Sequence, residues 1–469
     1  MQTATETDDA QQQPARGLKG FAAYWGPPVL LGLLAGGLIV GGWHLVRKLR
    51  TSPVDGIVAR WFWHDSETND RLATEIAALG PSARGDLLAA FRGAPDLDQQ
   101  VWIAQRLLAE PFFERKALVE FARSGTGAAH RAAAVALALD LREEADPDLV
   151  MPGVVEWLTD MEVDSHELAI AAAAALGPLP PPWHERVRDA LMAIVRFRPP
   201  PGTDPDFDFT PDDRETAILV GIGQYATEPD VQALLEAEMT DESEPAHTRV
   251  AAIRALAEHQ VFGSFEPWRR AAKSADPVVR QALADNLLRT QDRSVFDILQ
   301  PLHEDENEFV RSSSVETQTA RRQSTILPVV HQLLEDWSPE VRFYTLLAVA
   351  AFKDEPGNPE RCGHVLRMLE ESDEPLDVAG AILALSRITG EVYGVREIDV
   401  HQLMDEVDED ALEAFVKDAD GRREAAAKWR DKFGGAAVYT DGDRRKALEA
   451  LAQHKDPENR ARAEKLLAQ

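Results

Sequence analysis

Apolar residues along this chain recur at three- and four-residue intervals, in short blocks broken by Pro, Gly, Asp and Asn, which is the pattern of amphipathic helices joined by tight turns. The blocks repeat. Thr248-Arg249, Val279-Arg280, Val310-Arg311 and Val341-Arg342 place four arginines 31 residues apart. Four positions before the last three stand Asp276, Asn307 and Ser338, each able to cap a helix, and Pro277, Glu308 and Pro339 follow at the first helical position. The first unit departs from this, with Pro245 at the cap position. Val279, Leu283 and Leu287, or Val250, Ile253 and Leu256, then form one apolar stripe. Shorter second helices are expected over Phe265–Ala272, Val295–Leu302, Ile326–Leu334 and Val365–Leu369. A helix pair of this length cannot bury its stripe alone, so the units must stack.

The same rhythm continues with looser register on either side. Helices are expected over Arg71–Leu79 and Ala83–Phe91, Leu97–Leu108 and Phe112–Phe121, and Ala128–Leu139 and Val150–Leu158. Further pairs are Leu168–Leu176 with Glu185–Val195 and Glu215–Tyr225 with Val231–Glu238, and Leu376–Ile388 opens the last unit. That makes about ten units. No run alternates with a period of two, so an α/β fold is a poor reading.

A different pattern occupies the N-terminal part. Gly20 to Val46 holds no Asp, Glu, Lys or Arg, and at about 1.5 Å per helical residue it exceeds a hydrocarbon core of roughly 30 Å. Tyr24, Trp25 and Trp43 sit where interfacial aromatics are expected. The excess of Arg47, Lys48, Arg50 and Arg60 over Arg16 and Lys19 places the bulk of the chain in the cytoplasm by the positive-inside rule. Gly32-x-x-x-Gly36 and Gly37-x-x-x-Gly41 could pack two spans into a homodimer.

Charge narrows the partners. The 469 residues carry a formal net charge of −30, a field that repels phosphate backbones and makes nucleic acid a poor ligand. The single cysteine, Cys362, excludes an intramolecular disulfide framework and a Cys-rich zinc site.

Asp276-Pro277-Val278-Val279-Arg280-Gln281-Ala282-Leu283 resembles the HEAT repeat, in the variant shared with phycobilisome-lyase-like bacterial proteins. Leu385 to Gly390, Tyr393-Gly394 and Lys428-Trp429-Arg430 resemble the C-terminal unit of bacterial HEAT proteins of unassigned function. The resemblance implies a curved superhelix whose Asp and Arg positions ladder between adjacent units, and a binding architecture rather than a chemistry.

The candidate chemistry is sparse. His166-Glu167, His184-Glu185 and His303-Glu304 look like the metal-binding His-Glu pairs of HEAT-type deoxyhypusine hydroxylases, but their spacing does not place them at equivalent positions of facing units. Gly221-Ile222-Gly223 is followed by Thr227-Glu228-Pro229 and no sheet, so it reads as close helix packing, not a dinucleotide loop. Asp204, Asp206, Asp208, Asp212 and Glu215 fit calcium-loop positions, yet Phe209 stands where that loop needs glycine. No nucleophile elbow, phosphate-binding loop or His-Glu-x-x-His helix occurs.

The expected organisation is an N-terminal tail (1–20), a transmembrane helix (21–46), a juxtamembrane segment (47–64), a right-handed α-solenoid of HEAT-type pairs (65–395, with an acidic connector at 198–213) and a helical cap (396–469). The expected function is an all-α, single-pass inner-membrane scaffold that binds a protein partner, with no cofactor, metal or catalytic residue. The rivals are a HEAT-type lyase or metal-dependent hydroxylase, and a passive element oligomerising through its span. One helix breaks the pattern: where Ala282, Leu283 and Leu287 supply a stripe, the next unit has Ser313, Ser314 and Gln318. Either this helix changes register to bury Val310, Val315 and Ala320, or its polar groups meet a network or ligand. Arg311, Arg321 and Arg322 then form a basic island suited to an acidic partner segment.

Overall fold

The computed structural model describes residues 52–61, 66–124, 127–140, 145–160, 166–198, 211–290, 292–393 and 409–469. Among them there are helices and turns and no strand. They fall into a unit ending at Gly153 and a unit from Val154 to Gln469.

The first unit contains α1 (Pro53–Val58), α2 (Ser66–Ala78), α3 (Arg84–Gly93), α4 (Leu97–Leu108), α5 (Arg115–Ser124) and α6 (Ala128–Ala138), and α7 spans Pro147–Thr159. Residues 53–58, expected as a juxtamembrane segment, are part of this fold. Ser52 and Asp55 form a reciprocal capping box, and Val54, Ile57 and Val58 are buried. The Gln99 side chain donates to the Val58 carbonyl at 3.2 Å. Helix α6 packs on both α4 and α5, with Ala132, Ala133, Ala134 and Ala136 fully buried.

The second unit continues with α8 (Glu167–Ala175), α9 (Trp183–Arg196), α10 (Pro211–Thr216), α11 (Pro229–Thr240), α12 (Ala246–Glu258), α13 (Glu266–Ala271), α14 (Pro277–Asn286), α15 (Phe296–Leu299), α16 (Glu308–Ala320) and α17 (Val330–Leu333). It ends with α18 (Pro339–Ala351), α19 (Asn358–Glu371), α20 (Pro375–Thr389), α21 (Glu409–Lys417), α22 (Ala419–Lys432), α23 (Asp441–Leu451) and α24 (Pro457–Leu467). The first helices of the 31-residue units, α12, α14, α16 and α18, stack in chain order, and α20 continues the row. This is a helical repeat of stacked helix pairs. Asp276 and Asn307 cap α14 and α16, accepting from Val278 N at 2.8 Å and Phe309 N at 3.0 Å.

The second helices are more broken than the apolar spacing predicts. Over 295–302 only Phe296–Leu299 is α-helical, flanked by 3₁₀ turns, and over 326–334 a 3₁₀ segment at Ser324–Val329 precedes α17. Pro301 and Pro328 lack the N–H that a continuing α-helix needs. The segment Glu215–Tyr225 likewise tightens and loosens, with a π turn at Ala217–Gly221 and a 3₁₀ turn at Ile222–Tyr225. A Cβ at Gly221 would lie 2.8 Å from Leu191 Cδ2, so this glycine serves close packing.

The single-pass membrane placement requires correction. Among the described residues no helix is long and apolar enough to cross a membrane. Even α20, with 15 residues, reaches only roughly 22 Å against a core of roughly 30 Å. The span expected over 21–46 lies outside the described residues. The bilayer contact, the homodimer through that span and the inner-membrane location are therefore not carried forward. The proposed calcium positions Asp204, Asp206 and Asp208 also lie outside the described residues.

Candidate partner-binding site

The 31-residue period has a physical cause in its turns. Arg280, Arg311 and Arg342 each donate through Nη1 to the carbonyls six and five residues before them. Arg280 reaches Ser274 O and Ala275 O at 2.8 and 3.2 Å, and Arg311 reaches Asp305 O and Glu306 O at 2.8 and 3.2 Å. In Arg280 and Arg311 the other edge of the guanidinium grips a carboxylate 25 residues on. Arg280 binds Asp305 at 2.8 and 2.7 Å, and Arg311 binds Asp336 at 2.9 Å through both nitrogens. Each aspartate thus ties the turn of its own unit to the arginine of the unit before. Asp305 beside Arg280 holds that guanidinium above its ordinary pKa.

The ends of this ladder differ for reasons visible in the residues. Position 274, equivalent to Asp305 and Asp336, is a serine, so Arg249 turns instead to Glu242 at 2.9 and 2.7 Å. Arg342 finds its carboxylate later, at Asp377, with Nε at 2.8 Å. The Asp305 and Asp336 pair was legible at the same 31-residue spacing, six positions before Arg311 and Arg342.

The ladder motif recurs at the C-terminus. Asp456-Pro457-Glu458-Asn459-Arg460 repeats the order of Asp276-Pro277-Val278-Val279-Arg280. Arg460 Nη1 donates to His454 O and Lys455 O at 2.7 and 2.6 Å, the same six- and five-residue reach. The hairpin of α23 and α24, expected only as part of a helical cap, is therefore a further repeat-like unit. It folds back onto the turn of the Arg311–Arg342 units. Asn459 bonds Asp336 and the Trp337 N–H, each at 2.9 Å, Asp456 stands 3.0 Å from Arg311, and Arg462 Nε reaches Glu335 O at 3.1 Å. Tyr439 stacks on His364, ring centroids 3.9 Å apart, and the strap leading into α23, Val438–Tyr439, passes so close to α19 that a Cβ at Gly363 would lie 2.6 Å from the Val438 carbonyl carbon.

The polar helix α16 keeps its register and satisfies most of its polar groups internally, buried Thr319 Oγ1 having no partner among the described residues. Val310 and Val315 are fully buried. Ser314 Oγ donates to Leu299 O at 2.9 Å, Thr317 Oγ1 to Ala284 O at 2.9 Å, and Gln318 Nε2 to Ser314 Oγ at 3.0 Å. Ser and Thr therefore stitch α16 to its neighbours where other units use apolar contacts.

The three arginines expected as one island are separated. Arg311 is wholly buried between Asp336 and Asp456 and is not presented to a partner. Arg321 is half-buried, donating to Leu287 O and Asp292 O at 3.2 and 3.1 Å with its guanidinium over the Phe296 ring. Arg322 is exposed. Its left-handed backbone (φ 54°) ends α16 and turns the chain away, leaving its side chain on a groove of about 350 Å³ between α16, α18 and α20. Tyr344, Leu347 and Ala350 supply the apolar wall, and Arg322 and Arg387 the cationic rim, with Glu316 as the one acid. Neither Arg322 nor Arg387 is in an ion pair among the described residues. Arg387 and Tyr344 were not singled out from sequence, since they meet Arg322 only when successive first helices stack.

The His-Glu motifs are dispersed. His166 is buried against Asp213, His184 Nε2 bonds Glu228 at 2.7 Å, and burial pushes His303 down to about 4. No group of three or more potential metal ligands occurs among the described residues.

No protein-family model and no curated protein matches the chain. Among solved structures it is similar to a Kap121p mutant at 14% identity, with 92% of this chain and 54% of that one covered and a TM-score of 0.41. It is similar to the karyopherin Kap121p bound to the extreme C-terminus of the protein phosphatase Cdc14p at 15% identity, 88% and 53% coverage and a TM-score of 0.40. An engineered protein matches at 15% identity, 89% and 98% coverage and a TM-score of 0.27. The chain spans about half the length of the two Kap121p chains. At such scores these likenesses add nothing to the ladder geometry, on which the helical-repeat fold rests.

Proposed function

We propose that this chain is a right-handed helical-repeat scaffold, a binding protein rather than an enzyme, that holds a protein partner in the groove between α16, α18 and α20. The observation that carries this reading is the pairing of an apolar wall with two exposed arginines that have no ion pair among the described residues, on a chain of net charge −30. A segment combining a carboxylate with an aromatic or aliphatic side chain fits both features: the guanidiniums take the carboxylate and Tyr344 and Leu347 take the apolar group. The fluorescence polarisation of labelled peptides should test it. Acidic–aromatic peptides should bind, charge-reversed ones should not, and Arg322→Glu plus Arg387→Glu should weaken binding at least about tenfold with the melting temperature little changed. Equal affinity for both peptide sets, or for the double variant, removes the groove as the site.

A further inference from the structure

A second cavity, of about 390 Å³, lies where the C-terminal hairpin meets α18, α19 and α20. Its volume is within the usual range for small-ligand sites, roughly 300–1,000 Å³. Four arginine side chains line it: Arg342 from α18, Arg367 from α19, Arg444 from α23 and Arg462 from α24. Five carboxylates share this wall, and four of them are already engaged. Glu335 accepts from Arg444 and His364, Glu371 from Arg367 and Arg444, and Asp377 from Arg342 and Ser372, while exposed Asp373 pairs with Arg422. Glu374 is half-exposed.

Among these arginines, Arg342 and Arg462 keep unused donors. In Arg280 and Arg311 the Nη2 group meets the second oxygen of the ladder aspartate. In Arg342 it does not, because Ser372 Oγ donates to Asp377 Oδ2 at 2.7 Å. Arg342 Nη2 accordingly makes no hydrogen bond among the described residues, although the side chain is only 4% exposed. Arg462 bonds through Nε alone, and neither of its Nη groups has an acceptor among the described residues. Both guanidiniums line the one cavity, and burial together with repulsion from Arg342 holds Arg462 below its ordinary pKa. Buried Arg342 and partly buried Arg462 turn unused donors toward one cavity from elements far apart in sequence, where a single anion would take both.

We infer that this cavity is a binding site for a phosphate-class oxyanion, either free phosphate or the phosphate of a small phosphorylated molecule, held by Arg342 and Arg462. Guanidinium forks match the geometry of such oxygens, and the anion bridges the hairpin to the repeat row. The site is separate from the α16–α18–α20 groove and does not depend on the partner reading.

Calorimetric titration of the full chain with inorganic phosphate and, in a second arm, with glucose 6-phosphate tests the inference. One equivalent of either should bind, the tighter arm identifying the source, and each should protect the hairpin from limited proteolysis. Arg462→Gln should weaken binding at least about tenfold, while its melting temperature without anion stays level or rises because the repulsion is gone. Arg462→Lys, which keeps the charge and loses the fork, is the second variant should the first not fold, and it too should bind several-fold more weakly. No binding of either compound at millimolar concentration, or undiminished binding by the folded variant, overturns the assignment.

Discussion

The side-chain amide of Asn459 donates to Asp336 at 2.9 Å across 123 positions of sequence, in a site where both residues are fully buried. With Asp456 on Arg311 and Trp337 on Asn459, it closes a polar cluster that holds the C-terminal hairpin against the repeat row. Replacing Asn459 with Leu leaves the Trp337 N–H unpaired and removes one donor from Asp336. The expected cost is about 1–3 kcal/mol, read as a lower unfolding midpoint in urea and faster proteolysis near residues 434–440. Unchanged proteolysis there would mean that the hairpin is held by its other contacts.

The ladder arginines should not be equivalent. Arg311 and Asp336 are both sealed from water, whereas Glu242, the partner of Arg249, has a side chain 54% exposed. Arg311→Met strands a buried carboxylate and should cost roughly 3–5 kcal/mol. Arg249→Met leaves Glu242 free to hydrate, and its lost ion pair should cost about 1 kcal/mol or less. Denaturant titration of the two variants checks the order, and equal losses would refute the ladder argument.

Gly363 and Gly85 make an opposite pair. Both are helical, but a Cβ at Gly363 meets the Val438–Tyr439 backbone at 2.6 and 2.8 Å, while one at Gly85 meets nothing within 4 Å. Gly363→Ala should destabilise by about 1–3 kcal/mol through overpacking, outweighing its helical gain. Gly85→Ala should stabilise by roughly 0.5–1 kcal/mol. Melting temperatures moving in the same direction would count against the strap's placement over α19.

Acid should loosen the second unit before its carboxylates titrate. Burial pushes both His303 and His331 down to about 4 from an ordinary 6.5, with the neighbouring His364 adding to the shift of His331. The unfolded chain therefore takes up these protons first. Stability from this source is complete above about pH 6.5, declines as the pH falls to about 4, and changes no further below that. His303→Leu should flatten the fall in melting temperature between pH 6.5 and 4, and a slope as steep as that of the parent would exclude His303 as a contributor.

The sequence by itself determined the helical character, the 31-residue period, the caps at Asp276 and Asn307 and the stacking of first helices. All of these are local: spacing, capping chemistry and the need to bury one stripe act within a few dozen residues. It also carried the ladder partners Asp305 and Asp336 and the returning motif at Asp456–Arg460, as repeats of turn chemistry already visible at Ser274–Arg280. Tertiary structure alone decided where the arginines end up. Arg311, Arg321 and Arg322 are near neighbours in sequence, yet burial, backbone carbonyls and a left-handed residue send them to three environments. The groove of Arg322, Tyr344 and Arg387 and the cavity of Arg342 and Arg462 exist only because distant segments pack together. A side chain's free donors cannot be counted until its neighbours are in place, since the same guanidinium is saturated in Arg311 and unsaturated in Arg342 according to which residue reaches the facing carboxylate.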